Sequence, residues 1–234
     1  MKTNPAKPPG YESKPASYFE QARADMLPFV PPDAKRVLDV GCGRGNFGEL
    51  LKSRRKLEVW GIEPVAAPAT EAATKLDRVI EGIFAPEADL PPASFDAIFF
   101  NNVLEHLFDP AAALRLAHSL LNANGVGVAS IPNIRQFSTL WEIVVQGEWR
   151  YADSGIMDRT HLRFFTKKSI ATMFAEGGFK LDKLEGINPN SGGTPRKWLA
   201  FKILNGLTFK AIEDMRFTQF AVVAHPLKKQ AGQA

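Results

Sequence analysis

The sequence has almost no cysteine and no long apolar run. Cys42 is the single cysteine among 234 residues, which excludes an intrachain disulfide framework. No stretch of about 18 apolar residues occurs, and the chain shows no signal-peptide pattern. We therefore expect a cytoplasmic protein without a transmembrane segment.

The sequence also lacks a large excess of charge of either sign. The formal net charge is +4 and the sequence pI is about 9.2, and much of the excess lies near the two chain ends. Such an excess can attract an anionic partner, but it does not form the basic stripe of a nucleic-acid-binding protein. No histidine, cysteine or acidic cluster has zinc-ligand spacing, so no metal is expected. A small-molecule partner is expected, no nucleic acid is, and assembly into a homo-oligomer stays open.

The order of apolar segments predicts an α/β fold. Strand-length apolar runs alternate with stretches of helical period, which is typical of a largely parallel sheet with helices on both faces. The predicted strands span 36–40, 58–62, 78–81, 95–100, 126–131, 179–184 and 217–224, and the predicted helices 45–54, 66–76, 109–125 and 167–176. These elements predict a Rossmann-like, seven-stranded domain.

Three segments depart from this alternation. Residues 1–16 are rich in proline and lysine, so they are expected to be a flexible tail before a domain over 17–234. The segments at about 133–165 and 187–215 do not follow the alternating pattern. Long connections inside a domain are usually functional, so these two are predicted to be lids or acceptor-binding insertions.

A glycine-rich turn follows the first predicted strand, in the sequence Asp39-Val40-Gly41-Cys42-Gly43-Arg44-Gly45. Glycines allow a ligand to approach the backbone, and the following helix start attracts an anionic group. Residues 43–48 also match the G-x-G-x-x-G pattern of dinucleotide-binding proteins. The turn alone therefore leaves both NAD and S-adenosylmethionine open.

Two carboxylates near this turn favour S-adenosylmethionine. Asp39 would repel a pyrophosphate, whereas it suits a ligand that carries an ammonium and a sulfonium group. Glu63 ends the second strand, where an acidic residue can accept the ribose hydroxyls of either cofactor. A turn-capping role for Asp39 and a solvated charge for Glu63 are the structural alternatives.

Four motifs in order resemble the class I S-adenosylmethionine-dependent methyltransferases. They are Val37–Gly45, Gly61-Ile62-Glu63-Pro64, Ser94-Phe95-Asp96-Ala97-Ile98 and Leu104-Glu105-His106-Leu107. The resemblance covers about residues 17–131 and implies an antiparallel last strand. The implied cofactor contacts are Gly41, Cys42 and Gly43 at the methionyl portion, Glu63 and Pro64 at the ribose, and the backbone of Asn101, Asn102 and Leu104 beside the methyl donor.

Two further expectations follow from this resemblance. Tyr18 and Arg23 resemble the part of an N-terminal helix that closes over the cofactor, so that Arg23 could meet its carboxylate; an exposed helix arginine is the alternative. Relatives often carry an acidic residue after the third strand, but here Gly82 is followed by Ile83 and Phe84. Adenine is therefore expected to pack on these two side chains.

The candidate catalytic residues are His106, His161 and Asp158. An oxygen or nitrogen acceptor loses a proton on methylation, and histidine is suited to receive it near neutral pH. His106 follows the fourth strand and His161 lies in the first insertion. For each imidazole, anchoring of a helix or loop is the alternative.

A narrower resemblance concerns the acceptor. Residues 158–165, in the sequence Asp-Arg-Thr-His-Leu-Arg-Phe-Phe, resemble a segment of bacterial members associated with glycan or polysaccharide assembly. This implies O-methylation of a sugar or related metabolite, with Arg163 close to it and Trp141, Trp149 and Tyr151 as pocket walls. The two rival functions are an NAD-dependent oxidoreductase and a non-catalytic S-adenosylmethionine-binding module.

Overall fold

A computed structural model describes residues 10–11, 14–189 and 194–227. Its strands form one sheet in the order β3-β2-β1-β4-β5-β7-β6. The strands are β1 (Arg36–Val40), β2 (Glu58–Glu63), β3 (Arg78–Glu81), β4 (Phe95–Asn101), β5 (Leu121–Pro132), β6 (Phe179–Pro189) and β7 (Phe217–Pro226). Strands β1 to β5 pair in parallel, and β7 is antiparallel to both of its neighbours. The predicted seven-stranded Rossmann-like sheet with an antiparallel last strand is confirmed.

The helices lie between these strands and in the two insertions. They are α1 (Asn46–Arg54), α2 (Ala66–Ala72), α3 (Pro110–Leu120), α4 (Phe137–Val145), α5 (Lys167–Glu176) and α6 (Pro195–Leu207), with short 3-10 helices at Ala16–Phe19, Ala24–Phe29, Leu104–His106 and Glu213–Arg216. Within the described part of the chain, no helix has the length and apolar content needed to cross a bilayer.

Successive residues of β1 enter two different core layers. Val37 packs in the layer that contains Phe47 and Leu51 of α1, whereas Leu38 packs in the layer that contains Leu114 of α3 and Phe174 of α5. Side chains alternate between the faces of a strand, and here both faces are covered. This arrangement explains why the parallel strands read as nearly continuous apolar runs.

The strand register brings three polar side chains to one edge of the sheet. Asp39 of β1 pairs in register with Gly61 of β2 and Phe99 of β4, so Asp39, Glu63 and Asn101 all lie near the carboxyl ends of adjacent parallel strands. Strand order reverses between β1 and β4, and ligands of open α/β sheets bind in the crevice at such a switch point.

The boundaries of α2, α3 and β5 differ from the prediction. Helix α2 ends at Ala72 rather than near residue 76, and α3 ends at Leu120 rather than at Asn124-Gly125. The pairing of β4 with β5 steps from Phe95↔Leu121 to Ala97↔Val126, so the turn residues lie in a bulge of β5. A bulge adds residues to one strand only, which the sequence pattern did not show.

Other helix boundaries are confirmed. Asp109 caps α3 by accepting the Ala112 N–H at 2.8 Å, and proline follows it at the first helical position. Helix α5 has the predicted range 167–176, and the chain leaves it through Gly178 at a φ of 82°. Left-handed backbone at this place costs glycine little.

The N-terminal segment differs from the predicted tail and helix. Two short 3-10 helices replace the helix, and Arg23 between them has a φ of 49°. The expected flexible tail ended at residue 16, yet the side chain of Lys14 is only 5% exposed. Residues 1–9 and 12–13 of that tail lie outside the described residues.

The two insertions pack against each other. In the first, α4 contributes Phe137, and in the second Phe201 of α6 and Met215 complete a small separate core. The first insertion also returns to the sheet, because Asn133 and Phe165 form a β-bridge. Residues 190–193 of the second insertion lie outside the described residues.

A Gly61→Ala substitution should destabilise the fold. The added Cβ would lie 2.6 Å from Cys42 Sγ and 2.8 Å from Leu76 Cδ1, and such overpacking costs about 1–3 kcal/mol. Gly206→Ala in α6 is the matched control, because no atom lies within 4 Å of the added Cβ. In chemical denaturation, G61A should unfold earlier while G206A is neutral or stabilising; an unchanged G61A midpoint would contradict the packing described.

Candidate functional site

Two adjoining cavities open at the carboxyl ends of β1, β2 and β4. The first, of about 380 Å³, contains Asp39, Arg23 and His161 in its lining, and we call it the polar cavity. The second, of about 680 Å³, is lined mainly by apolar side chains, and we call it the apolar cavity. Tyr11, Gly41, Asn102, Val103 and His106 line both. Their sizes are typical of small-ligand sites.

The turn after β1 requires glycine at two places that line the polar cavity. Gly41 has a φ of 67° and Gly43 a φ of 54°, backbone conformations that favour glycine. A Cβ at Gly41 would also lie 2.9 Å from Val103 Cγ2, and a Cβ at Gly43 would lie 3.0 Å from the carbonyl oxygen of Phe19. Because these positions have no side chain, the backbone of the turn is open to close approach by a ligand in the polar cavity, as predicted.

Asp39 is a buried carboxyl group on the wall of the polar cavity. It is 2% exposed. Burial raises the pKa of Asp39 to about 7, with a further increase from Glu63, while Asn101 and Arg23 act in the opposite direction. The N–H groups of Gly41 and Cys42 donate to the Ile62 carbonyl, which leaves the turn-capping alternative without support. A buried acid at this position favours a cationic ligand group.

Glu63 is fully buried and holds the glycine turn. Its Oε2 accepts the N–H of Gly43 at 2.9 Å, and its Oε1 accepts the N–H of Val65 at 3.0 Å. The alternative of a solvated charge is wrong, since Glu63 is 0% exposed. Glu63 lines neither cavity. Burial raises the pKa of the nearby Tyr11 hydroxyl, and the Glu63 charge raises it further. The ribose contact thus remains a prediction.

Three side chains predicted to contact the nucleoside line the apolar cavity, whereas one residue predicted after β4 does not. Pro64, Ile83 and Phe84 all line it. Leu104, whose backbone was expected beside the methyl donor, lines neither cavity, and its side chain is fully buried in the core. Its neighbour Val103 lines both instead. The 3-10 helix that starts at Leu104 turns this side chain inward.

Arg23 and Tyr18 both line the polar cavity. Arg23 donates to both carboxylate oxygens of Asp25 at 3.1 Å and to Gln219 Oε1 at 3.0 Å. Its side chain is 8% exposed, so the alternative of an exposed helix arginine is wrong. Tyr18 lies with its hydroxyl oxygen 3.2 Å from His106 Nε2. Gln219, on the distant β7, had no signal in the sequence.

A backbone clamp brings the two candidate histidines together. The carbonyl of Glu105 accepts the N–H groups of Leu162 and Arg163 at 2.9 and 3.0 Å, which fixes the first insertion against the 3-10 helix after β4. The rings of His106 and His161 are then 4.8 Å apart. His161 Nε2 lies 3.9 Å from Glu105 Oε1.

Burial determines the charge states of this cluster. It lowers the pKa of His106 to about 4, with His161 adding to the decrease, and it also lowers the pKa of His161. Both imidazoles are therefore neutral near neutral pH. Burial raises the pKa of Glu105 to about 8. Both carboxyl oxygens of Glu105 are buried without a hydrogen-bond partner.

Asp158 borders the polar cavity, but its oxygens are already occupied. Lys14 donates to both of them at 2.6 and 2.5 Å, and Thr160 donates to Oδ1 through its N–H and its hydroxyl, both at 2.8 Å. Burial opposes ionisation, yet the bonds from Lys14 and Thr160 lower the pKa of Asp158. Its contacts are those of a clamp on the N-terminal segment. Lys14 was missed because its proline-rich surroundings show no periodicity.

The predicted aromatic walls of an acceptor pocket are wrong. Trp141, Trp149 and Tyr151 line neither cavity. Trp141 packs against the small core between the insertions, whereas Trp149 and Tyr151 are 49% and 50% exposed. Arg163 is turned away as well, since it donates to the Phe108 carbonyl at 2.7 Å. The aromatic side chains in the polar cavity are instead Tyr11, Tyr18, Phe19 and Phe47.

Comparison with known sequences identifies the family. The family described as the methyltransferase domain matches residues 11–184. The chain belongs to this family. Its membership confirms the resemblance to the class I methyltransferases, and S-adenosylmethionine is the cofactor. This decides between the two cofactors that the glycine turn allowed.

Individual relatives agree with the family. Ubiquinone biosynthesis O-methyltransferases of Psychrobacter arcticus and Psychrobacter cryohalolentis are 32% and 31% identical over 179 residues, which are 71% of this chain and 66% of theirs. The match thus spans just under two thirds of these relatives. A methyltransferase structure from Archaeoglobus fulgidus superposes with a TM-score of 0.64 at 19% sequence identity. The superposition covers 92% of this chain and 96% of that one, which shows that the two share a fold.

The residues present fit S-adenosylmethionine. The buried Asp39 carboxyl suits the cationic methionyl part, and the crowded Gly41 and Gly43 allow close contact with the backbone. The apolar side chains of Ile83 and Phe84 suit the adenine ring. When bound, the cofactor would supply a methyl group attached to a sulfonium, and the neutral thioether that remains after transfer is a good leaving group.

Asp39→Asn should bind S-adenosylhomocysteine at least about tenfold more weakly, because the ligand ammonium loses its carboxylate. Since Asp39 must be ionised to attract it, wild-type affinity should fall as pH drops below about 7, and the D39N affinity should change less. Calorimetric titration at several pH values measures both. Asp89→Asn is the control, because Asp89 is an exposed acid; equal pH profiles for wild type and D39N would remove Asp39 from this role.

The same substitution should stabilise the fold at about pH 8. The raised pKa of Asp39 means that its favourable contribution is present below about pH 4 and is lost as pH rises through about 7. Asparagine does not ionise, so D39N should gain on the order of 2–4 kcal/mol over wild type at about pH 8. Denaturation of both proteins should show this gain shrinking by about pH 5; a D39N protein less stable than wild type at both pH values would contradict it.

Proposed function

We propose that this protein transfers the methyl group of S-adenosylmethionine to an oxygen atom of a small hydroxylated acceptor. The observation that carries the proposal is that Glu105, His106 and His161 meet beside the same polar cavity that the glycine turn lines. Methyl transfer from a sulfonium depends mainly on alignment of the acceptor and exclusion of water. The acceptor hydroxyl must also lose its proton, and this cluster is placed to promote that loss.

The cofactor contacts in this proposal are those predicted from the sequence, apart from Leu104. They form two groups, one for each half of the cofactor. Tyr18, Arg23, Asp39, Gly41, Cys42, Gly43, Asn101 and Asn102 would bind the methionyl half, and Glu63, Pro64, Ile83 and Phe84 the nucleoside half. The Cys42 thiol has no reactive role in this proposal, because burial raises its pKa.

A hydroxylated aromatic ring is a better acceptor for this site than the sugar predicted from the sequence. The similar ubiquinone biosynthesis enzymes are named as O-methyltransferases, which supports oxygen as the methylated atom, and their names do not mention a glycan. The predicted aromatic sugar walls are absent from both cavities. The polar cavity instead presents Tyr11, Tyr18 and Phe19, whose rings meet edge to face at 5.4–5.9 Å. Such edges and faces pack well on a flat ring.

His161→Ala should lower kcat by about 100-fold or more, since a group that promotes proton loss is worth at least this much. Affinity for S-adenosylhomocysteine should stay within about threefold of wild type, because the cofactor contacts are elsewhere. Labelled methyl transfer to a panel of catechols, phenols, monosaccharides and nucleotide sugars provides the measurement. His118→Ala is the control, since His118 contacts the Leu227 carbonyl far from both cavities.

The same assay distinguishes the alternatives. Methylation of sugars but not of hydroxylated rings would restore the predicted sugar acceptor. Tight binding of S-adenosylhomocysteine with no transfer to any acceptor class would favour the non-catalytic binding module. Full activity of H161A on a verified acceptor would contradict the role given to the cluster.

A further inference from the structure

Three metal-ligating side chains meet beside the polar cavity, which two of them, His106 and His161, line. One potential ligand atom from each of Glu105, His106 and His161 lies within 4.8 Å of those of the other two. All three residues are buried, with 1%, 6% and 8% exposure. Over residues 10–11, 14–189 and 194–227, this is the single group of three or more histidine, cysteine or acidic residues that meets so closely.

Both imidazoles are held with one nitrogen free of its proton. His106 Nδ1 lies 3.1 Å from the Thr160 carbonyl, and His161 Nδ1 lies 3.0 Å from the Ile156 carbonyl. A carbonyl oxygen can only accept, so each Nδ1 carries the proton and each Nε2 has a lone pair. Metal-binding histidines are usually oriented in this way, with the other ring nitrogen donating to a carbonyl.

The carboxylate of Glu105 has no other partner. Neither oxygen has a hydrogen-bond partner, and Glu105 is 1% exposed. The nearby cations are already engaged, because Lys14 pairs with Asp158 and Arg23 pairs with Asp25. In the present geometry a protonated Glu105 would also lack a partner, since His161 Nε2 lies 3.9 Å from Oε1, beyond hydrogen-bond distance. A bound cation would satisfy both oxygens.

We propose that Glu105, His106 and His161 bind one divalent transition-metal cation, through Nε2 of each imidazole and the Glu105 carboxylate. Two nitrogen ligands and one oxygen ligand suit zinc(II) and the neighbouring first-row ions better than magnesium(II). Three protein ligands leave coordination positions open, as in catalytic zinc sites. The open positions would face the polar cavity, which His106 and His161 line.

Binding requires small side-chain movements. Ligand atoms around a zinc ion are about 3.4 Å apart, so the present separations of up to 4.8 Å must shorten. The Tyr18 hydroxyl donates to His106 Nε2 at 3.2 Å and must give up this bond. Rotation of the Glu105 side chain would bring its oxygens toward the imidazoles without disturbing the carbonyl contacts of either Nδ1 atom.

The role of the cation in catalysis rests on the proposed function, whereas its binding does not. A hydroxyl bound to the cation loses its proton to water more readily. The oxygen then bonds to the methyl carbon, and the carbon–sulfur bond breaks with its electron pair moving to sulfur. The products are the methyl ether, S-adenosylhomocysteine and one proton. His106 and His161 would thus act through the cation they hold.

The test is cation binding by the full chain after tag removal and chelator treatment. Calorimetric titration with zinc(II) should give one site per chain, and cobalt(II) should give the visible absorption of a nitrogen- and oxygen-ligated ion. Glu105→Gln and His161→Ala should each weaken zinc(II) binding by about 100-fold or more. Tyr18→Phe should bind zinc(II) at least as tightly as wild type, because the competing hydrogen bond is gone.

Glu176→Gln and His118→Asn are the matched controls. Both residues lie outside the two cavities, and their substitution should leave zinc(II) binding unchanged. Circular dichroism and S-adenosylhomocysteine titration verify that each variant is folded; if E105Q does not fold, the H161A and Y18F results still test the site.

Absence of zinc(II) and cobalt(II) binding by the wild-type protein would overturn the inference, and so would undiminished binding in both E105Q and H161A. Failure of the proposed function has a different signature. A protein that binds zinc(II) through these residues but methylates no oxygen acceptor would keep the cation site and lose the proposed reaction.

Discussion

The Glu105 carbonyl holds the two halves of the candidate site together. It accepts two successive N–H groups, from Leu162 and Arg163, and so fixes the first insertion to the chain segment after β4. Without this clamp, His161 would have no defined position relative to His106. Buried backbone hydrogen bonds are geometrically strict, so a single carbonyl can set the spacing of side chains that are 55 residues apart in the sequence.

Several groups at the site oppose the stability of the fold. Asp39 and Glu105 are carboxyl groups with almost no solvent exposure, and burial raises the pKa of each. The neighbouring glycines have positive φ values or tight contacts that exclude a Cβ. Natural proteins tolerate such unfavourable groups mainly where a ligand uses them. Their concentration at the switch point of the sheet supports the location of the site independently of the sequence motifs.

The N-terminal segment contributes side chains to the walls of both cavities. Tyr11 lines both cavities, Lys14 forms a buried ion pair with Asp158, and Tyr18 donates to His106. These three contacts connect the segment to both the cofactor side and the acceptor side. Because Tyr11 lines both cavities, the position of its side chain affects access to each of them.

The sequence predicted the elements whose signals are local. Strand β1, helix α5 and the Asp109 cap follow from apolar periodicity and from capping chemistry between neighbouring residues, and they were predicted within one residue. The bulge in β5 was not, since it depends on which residue of β4 lies opposite. Asp39, Gly41 and Gly43, which line the polar cavity, could be predicted because they lie within a few residues of each other in the glycine turn.

The sequence by itself determined the individual strands and the glycine turn, because each of these elements is encoded in a short segment, and the Asp39 carboxylate favoured S-adenosylmethionine over NAD. Only the tertiary structure decided which distant residues share the site. Lys14 pairs with Asp158, Gln219 with Arg23, and His161 meets His106 through contacts between segments that are far apart in the chain. Spacing along the sequence carries no information about such contacts, so the proposed cation site, made by two separate segments, was missed when ligand spacing alone was considered.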